Sequence, residues 1–233
     1  MPPKIIPVLV SANGEWEAVK AILQPTEIKQ SPLGAYFQIE IEGQPCLFFH
    51  SGWGKIASAA STQYVIDHYQ PELIINIGTC GGFSGPSQVG EILLVNETLI
   101  YDIVERMDDP VAALNHYRTK NNTSWITHPL PAGTRRARIA SADQDIDFRA
   151  YDLLTKTHQT AAADWETGAF AWVAARNHTP WLALRAVSDL VSPQFSETDR
   201  EVDLWRSRLA QLMAKILSDL PFYFSEFKRN IFS

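Results

Sequence analysis

The sequence predicts an α/β fold: one domain over residues 1–233, built on a mixed β-sheet flanked by helices. Three observations carry this. Apolar runs of strand length recur along the chain, helix-like segments lie between several of them, and the Glu42 to Pro45 stretch reads as a tight turn joining two neighbouring runs. Alternation of strands and helices gives a largely parallel sheet covered on both faces, and the hairpin adds an antiparallel pair.

In order, 4–11 is the first strand and 15–24 the first helix. Residues 35–42 and 45–51 are the hairpin strands, 55–69 a helix, and 72–78 the fourth strand. The fifth strand is 91–100, followed by a turn-rich stretch from about 108 to 133, expected as a long loop because Asn121, Asn122, Pro129 and Pro131 interrupt it. Strand 137–141, helices 147–157 and 166–177, strand 181–188 and a last helix over 197–219 complete the chain. In that last helix Ser196 and Asp199 read as a variant capping box. Val202, Trp205, Leu209, Leu212, Met213, Ile216 and Leu220 recur at helical spacing and make one apolar face for core packing.

Bulk properties narrow the function. A chain of 26.1 kDa with 45% hydrophobic residues buries a sizeable core, and a net charge of −6 gives nucleic acid nothing to bind. Cys46 and Cys80 are the only cysteines, too few for a disulfide framework or a cysteine metal cluster. His50 and His68 are isolated, and no metal site is expected. The apolar start contains Pro7 and reads as a strand rather than a signal peptide, and no run approaches the ~20 residues of a membrane span. A cytoplasmic protein with no nucleic-acid or membrane partner is expected.

Ligands of open α/β sheets collect beyond the carboxyl ends of strands, so those ends are read first. "SGWGK" follows the third strand, "GTCGGFSG" the fourth and "SD" the seventh. Glycines 52, 54, 78, 81 and 82 let backbone approach a ligand, though tight turns without one use glycine equally well. Asp189 follows an apolar strand and is either a proton donor raised in pKa by burial or a turn cap after Ser188. Glu166 is either an acid favoured by a helix dipole or an acceptor for a sugar diol. Glu15 and Glu17 have matching readings, as first-turn helix acids or as a general base. Arg185 is expected to pair with an internal carboxylate, and Trp53, Trp165 and Trp172 either stack on a base or fill core. Three carboxylates from distant segments are what cleavage of a sugar bond requires: an acid, a base and an anchor.

Taken together, the motifs resemble those of the nucleoside phosphorylase superfamily, and within it the 5′-methylthioadenosine/S-adenosylhomocysteine nucleosidase branch. "SGWGKIASAASTQYVIDHYQPELIINIGTCGGFSGPSQVGEILLV" (51–95) is similar to that family's Ser-Gly-x-Gly-Lys helix, its glycine-rich strand end and its Val-Gly-Asp strand start. "DWETGAFAWVAARNHTPWLALRAVSD" (164–189) resembles its Glu-Met-Glu-Ala helix and Arg-Ala-x-Ser-Asp strand. The resemblance implies a nucleoside phosphorylase-like fold and a hydrolase of the bond between purine and ribose, adenine being the favoured base, with no metal or organic cofactor. It implies that Asp189 protonates the purine at N7, that Ser188 orients Asp189, and that Glu166 holds the ribose hydroxyls. Gly81, Gly82 and Thr79 would line the base pocket, and Trp165 stands where the family has a methionine beside the ribose. Glu15, with Glu17 in reserve, matches the water-activating glutamate. Asn13 and Asp145 replace a 5′-pocket methionine and a base-stacking phenylalanine, so purine and ribose recognition is expected to be kept while the 5′ substituent is left open. Asn76 occupies the place of a phosphate-binding arginine of related phosphorylases, which favours water as nucleophile. A homodimer acting on a small nucleoside is expected. A phosphate-dependent phosphorylase and a non-catalytic nucleoside-binding protein are the competing readings.

Overall fold

A computed structural model describes residues 4–197 and 202–231. Every residue of β1 (Ile6–Val10) is buried, because helices cover the sheet on both faces there. Val8 and Val10 pack with α1 (Asn13–Leu23) and α5 (Val202–Ile231), while Leu9 packs with α2 (Gly54–Tyr69) and α4 (Thr167–Arg176). The same period of two divides β5 (Ile74–Phe83) and β10 (Trp181–Val191): Ile75, Ile77, Leu182 and Leu184 join the first layer, Ile74, Trp181 and Ala183 the second.

The remaining strands are β2 (Lys29–Ser31), β3 (Gly34–Ile41), β4 (Gln44–His50), β6 (Ile92–Ile100), β7 (Thr119–Lys120), β8 (Thr134–Ser141) and β9 (Ala162–Asp164). The sheet runs β10-β6-β8-β9-β5-β1-β4-β3-β2, with β7 beside β6. Because β10 also pairs with β5, strands β5, β9, β8, β6 and β10 close on themselves while β1 to β4 form an open wing. The turn at Glu42 and Gly43 has both residues at positive φ, 48° and 77°, as a two-residue hairpin between Ile41 and Gln44 requires. The sheet is therefore mixed, as expected.

Four expectations are corrected. The stretch 108–133 is not one long loop: Pro110–His116 form α3, with Asp109 accepting a hydrogen bond from Val111 N at 2.8 Å, and Thr119–Lys120 pair with β6. Proline at the first helical position, where no N–H is needed, starts this helix instead of breaking it. The helix expected at 147–157 is a single 3₁₀ turn at Phe148–Ala150 and a π-type turn at Leu153–Thr157. Asp189 does not follow its strand; β10 continues to Val191, carried on by parallel pairing of Leu190 and Val191 with Gly82 and Phe83. Finally, α5 runs past Pro221 to Ile231. The backbone bond that proline removes is outweighed by burial of Tyr223, Phe224 and Phe227 beyond it. Asp199, and with it the proposed capping box, lies outside the described residues.

The far end of α5 is fastened by Glu226, which is fully buried. Its carboxylate accepts from Thr127 N at 2.7 Å, His128 N at 3.1 Å, His128 Nδ1 at 2.6 Å and Arg229 Nη1 at 2.9 Å. Burial alone would raise its pKa, but the hydrogen bonds from His128 and Thr127 bring it down to about 2. Glu226→Gln should lower the unfolding free energy at neutral pH by about 2 kcal/mol, since donors then face an amide. The carboxylate's contribution is complete above the ordinary glutamate value of 4.5 and is lost as pH falls through about 2. Denaturation midpoints of the two proteins should therefore differ at neutral pH and converge on acidification.

Candidate active site

The carboxyl ends of β1, β5 and β10 lie side by side, and polar side chains from four elements meet there. Arg185 on β10 is 1% exposed. Its Nε donates to Asp164 Oδ2 at 2.6 Å and its Nη2 to Asn76 Oδ1. Asp164, at the end of β9, also accepts from Ser141 Oγ at 2.6 Å and from Thr167 N at 3.2 Å, so it fastens the start of α4. The expected partner of Arg185 is thus Asp164, a residue the sequence marked only as the start of a motif.

Glu15, in the first turn of α1, is 4% exposed. Its Oε1 accepts from Thr79 N at 2.6 Å and Thr79 Oγ1 at 2.8 Å, and its Oε2 from Ala12 N at 3.2 Å. Burial raises its pKa, an effect that Arg185 and the Thr79 and Ala12 hydrogen bonds reduce without cancelling. Glu17 points to solvent, paired with Lys20 at 2.8 Å. The structure therefore separates the two acids that the sequence left as alternatives. Gly78 makes the Glu15 to Arg185 approach possible: a Cβ there would stand 2.8 Å from Arg185 Nη1 and 2.8 and 2.9 Å from the two carboxylate oxygens of Glu15.

Glu166 immediately precedes α4 and accepts from Gly54 N at 3.0 Å. Gly54 has φ +76°, which a side chain would strain. The neighbouring Lys55 N donates to Asp143 Oδ1 at 2.7 Å, and the Lys55 ammonium bonds Asp102, so the start of α2 is held on acids from three loops. Burial, reinforced by Asp164, pushes the Glu166 pKa up to about 8. At neutral pH its carboxyl is largely protonated and both donates and accepts, which suits a pair of hydroxyls.

Asp189, 7% exposed, accepts from Ser188 Oγ at 2.6 Å. Pairing with β5 slips between Val187 and Asp189, and Asp189 comes opposite Gly81. Its Oδ2 would lie 3.6 Å from a Cβ on Gly81, and Ile146 Cδ1 would lie 2.7 Å from the same point. Ile146, not Asp145, is the side chain that reaches this wall; Asp145 is exposed. Gly82 packs instead towards Val187, Ser87 and Leu190. Trp165 is half-buried, whereas Trp53 is 63% exposed and Trp172 bonds His116 O from α4. His50 stacks on Trp16 and His68 on Tyr64.

Residues 7–220 match the model of the phosphorylase superfamily. The chain belongs to that superfamily. It is 25% identical over 180 residues to the 5′-methylthioadenosine/S-adenosylhomocysteine nucleosidase of Tolumonas auensis, covering 71% of this chain and 77% of that one. The nucleosidase of Neisseria meningitidis in complex with methylthio-immucillin-A superposes with a TM-score of 0.75 at 19% identity, over 94% of this chain and 99% of that one. Futalosine hydrolase of Helicobacter pylori superposes with a TM-score of 0.76 at 17% identity, over 93% and 96% of the two chains. The mixed sheet flanked by helices is thus the phosphorylase-superfamily fold, as its motifs implied. In this member of the superfamily Asn76 is committed inside the protein, accepting from Arg185 and donating to Leu9 O at 3.1 Å.

Two substitutions test this geometry. Gly78→Ala forces a methyl between two buried charged groups that cannot retreat, and should cost about 1–3 kcal/mol of stability, read from chemical denaturation. Glu166→Gln should stabilise the unliganded protein at high pH. A carboxyl whose pKa rises from 4.5 to about 8 on folding makes the native state lose stability as pH rises between those values, and an amide removes that loss. The variant's advantage in melting temperature should grow between about pH 5 and about pH 8 and then level off.

Proposed function

We propose that this protein is a purine nucleoside N-glycosidase, a hydrolase of the bond between adenine and ribose, like the nucleosidases it resembles. The observation that carries this is the convergence of two buried carboxyl groups, Glu15 and Asp189, and a half-buried third, Glu166, from three elements at one set of strand ends. Their environments differ, which gives them different tasks.

Glu166, protonated at neutral pH, binds the 2′ and 3′ hydroxyls of ribose, donating to one and accepting from the other. The base lies along Gly81, with Ile146 and Trp165 beside the nucleoside. Ser188 Oγ donates to Oδ1 of Asp189 and orients the carboxyl group, which passes its proton to purine N7. As the C1′–N9 bond breaks, its electron pair stays with the base, and Glu15 takes a proton from water as the water oxygen bonds C1′. Burial makes Glu15 a stronger base than an exposed glutamate. The products are free base and a ribose derivative, and the two carboxyl groups return to their starting states through solvent.

Several features support water over phosphate as nucleophile. The N–H groups of Gly54 and Lys55, which begin a helix and would suit an anion, are taken by Glu166 and Asp143. Arg185 is engaged with Asp164, Lys20 with Glu17, and Lys55 with Asp102. The reading extends to a cytoplasmic homodimer. Trp53 and Ile56, beside Lys55 in sequence, and Val104 and Met107, after its partner Asp102, are exposed apolar side chains that a second copy would cover.

The test is release of free base from a panel of purine nucleosides in phosphate-free buffer, with the sugar product identified by mass spectrometry. A free ribose derivative with or without added phosphate supports hydrolysis; a ribose 1-phosphate formed only with phosphate overturns it. Asp189→Asn, which keeps the size but cannot pass the proton, should lower kcat about 10²–10⁴-fold with the fold intact.

A further inference from the structure

We infer that Trp205 is a positioning residue for the water-activating base: acting through Thr79, it dictates which oxygen of Glu15 takes the proton. The inference rests on the proposed role of Glu15 and adds a residue from α5, an element that otherwise serves as core. Trp205 Nε1 donates to Thr79 Oγ1 at 3.1 Å, and Thr79 Oγ1 donates to Glu15 Oε1 at 2.8 Å. A threonine hydroxyl has one proton, and an indole N–H can only donate. With the indole on one lone pair of Oγ1, the hydroxyl proton is turned towards Oε1, which already receives Thr79 N at 2.6 Å. Oε1 is thereby saturated by two short bonds that reinforce each other. Among the described residues Oε2 receives only Ala12 N, at 3.2 Å, and it is the oxygen left with capacity for a proton from water.

The indole has little room to turn. Its Cη2 and Cζ3 lie 2.7 and 3.0 Å from where a Cβ on Gly14 would stand, so the ring rests on α1 directly beside Glu15. Packing of α5 and protonation of the base are therefore mechanically joined. Arg185 on β10, Glu166 before α4 and Cys80 on β5 interact electrostatically with Glu15, and Asp164 on β9 and Asp189 on β10 act on the same Cys80. On α1 and α5, Glu17 pairs with Lys20 at the surface and Arg208 donates to Ser188 O.

Trp205→Phe removes the N–H together with the outer edge of the ring that rests on Gly14, and Thr79→Val removes the same hydrogen bond with that packing left in place. The Thr79 hydroxyl is then free to turn away, the charged form of Glu15 loses support, and the proton is held more tightly. The acidic limb of kcat/KM should move to higher pH by about 0.5–1 unit, and kcat should fall several-fold with KM nearly unchanged. Thr79→Val should produce the same displacement, the double variant no more than either alone, and Thr79→Ser should restore the parental limb. The titration of Glu15 followed by ¹³C NMR in the unliganded protein reads the same shift without substrate, so it stands even if no nucleoside is cleaved. An unmoved Glu15 titration in Trp205→Phe, or, if that variant fails to fold, in Thr79→Val, overturns the inference, as do fully additive shifts in the double variant.

Discussion

Arg185 is a guanidinium almost wholly removed from water, at the point where the closed part of the sheet meets its open wing. Burying such a charge costs several kcal/mol unless carboxylates and hydrogen-bond acceptors surround it. The surrounding groups answer that requirement: Asp164 from β9, Asn76 from β5 and Glu15 from α1, brought into reach by the absence of a side chain at Gly78. Asp164 in turn fastens α4 and thereby the backbone that carries Glu166. The position of each proposed functional carboxylate except Asp189 therefore traces back to neutralising one buried cation.

The second constraint is competition for the start of α2. A helix beginning in Gly-x-Gly-Lys offers outward N–H groups, and in this protein they bind its own acids. Occupation by Glu166 and Asp143 draws together the loops after β4, β6, β8 and β9. It also leaves Glu166 in a setting where its neutral form is favoured, because the carboxyl is desolvated and sits near Asp164.

The α5 helix joins the two halves of this picture. Its apolar face covers β1, β5 and β10, Glu226 fastens its far end, and Trp205 reaches over Gly14 to the Thr79 hydroxyl at its near end. A residue that periodicity assigns to packing thus touches the polar site, because a large amphipathic side chain carries a donor at its edge.

Hydrophobic patterning and turn chemistry were enough to determine the alternating strands and helices, the hairpin at Glu42 and Gly43, and the clustering of functional candidates at strand ends, since these depend on local spacing. Motif order was enough to point to the superfamily, and it made Glu15 or Glu17, Glu166 and Asp189 the candidates. Tertiary structure alone decided the rest. Glu15 and Glu17 are two residues apart and chemically identical, and only the packing of α1 on the sheet buries one and exposes the other. The slip in pairing at Ser188, the reach of Ile146 instead of Asp145, the Asp164 partner of Arg185 and the Trp205 bond to Thr79 all join residues distant in sequence or depend on register between strands. Local spacing carries no information about such contacts, because they are selected by what each buried polar group finds across the closed core.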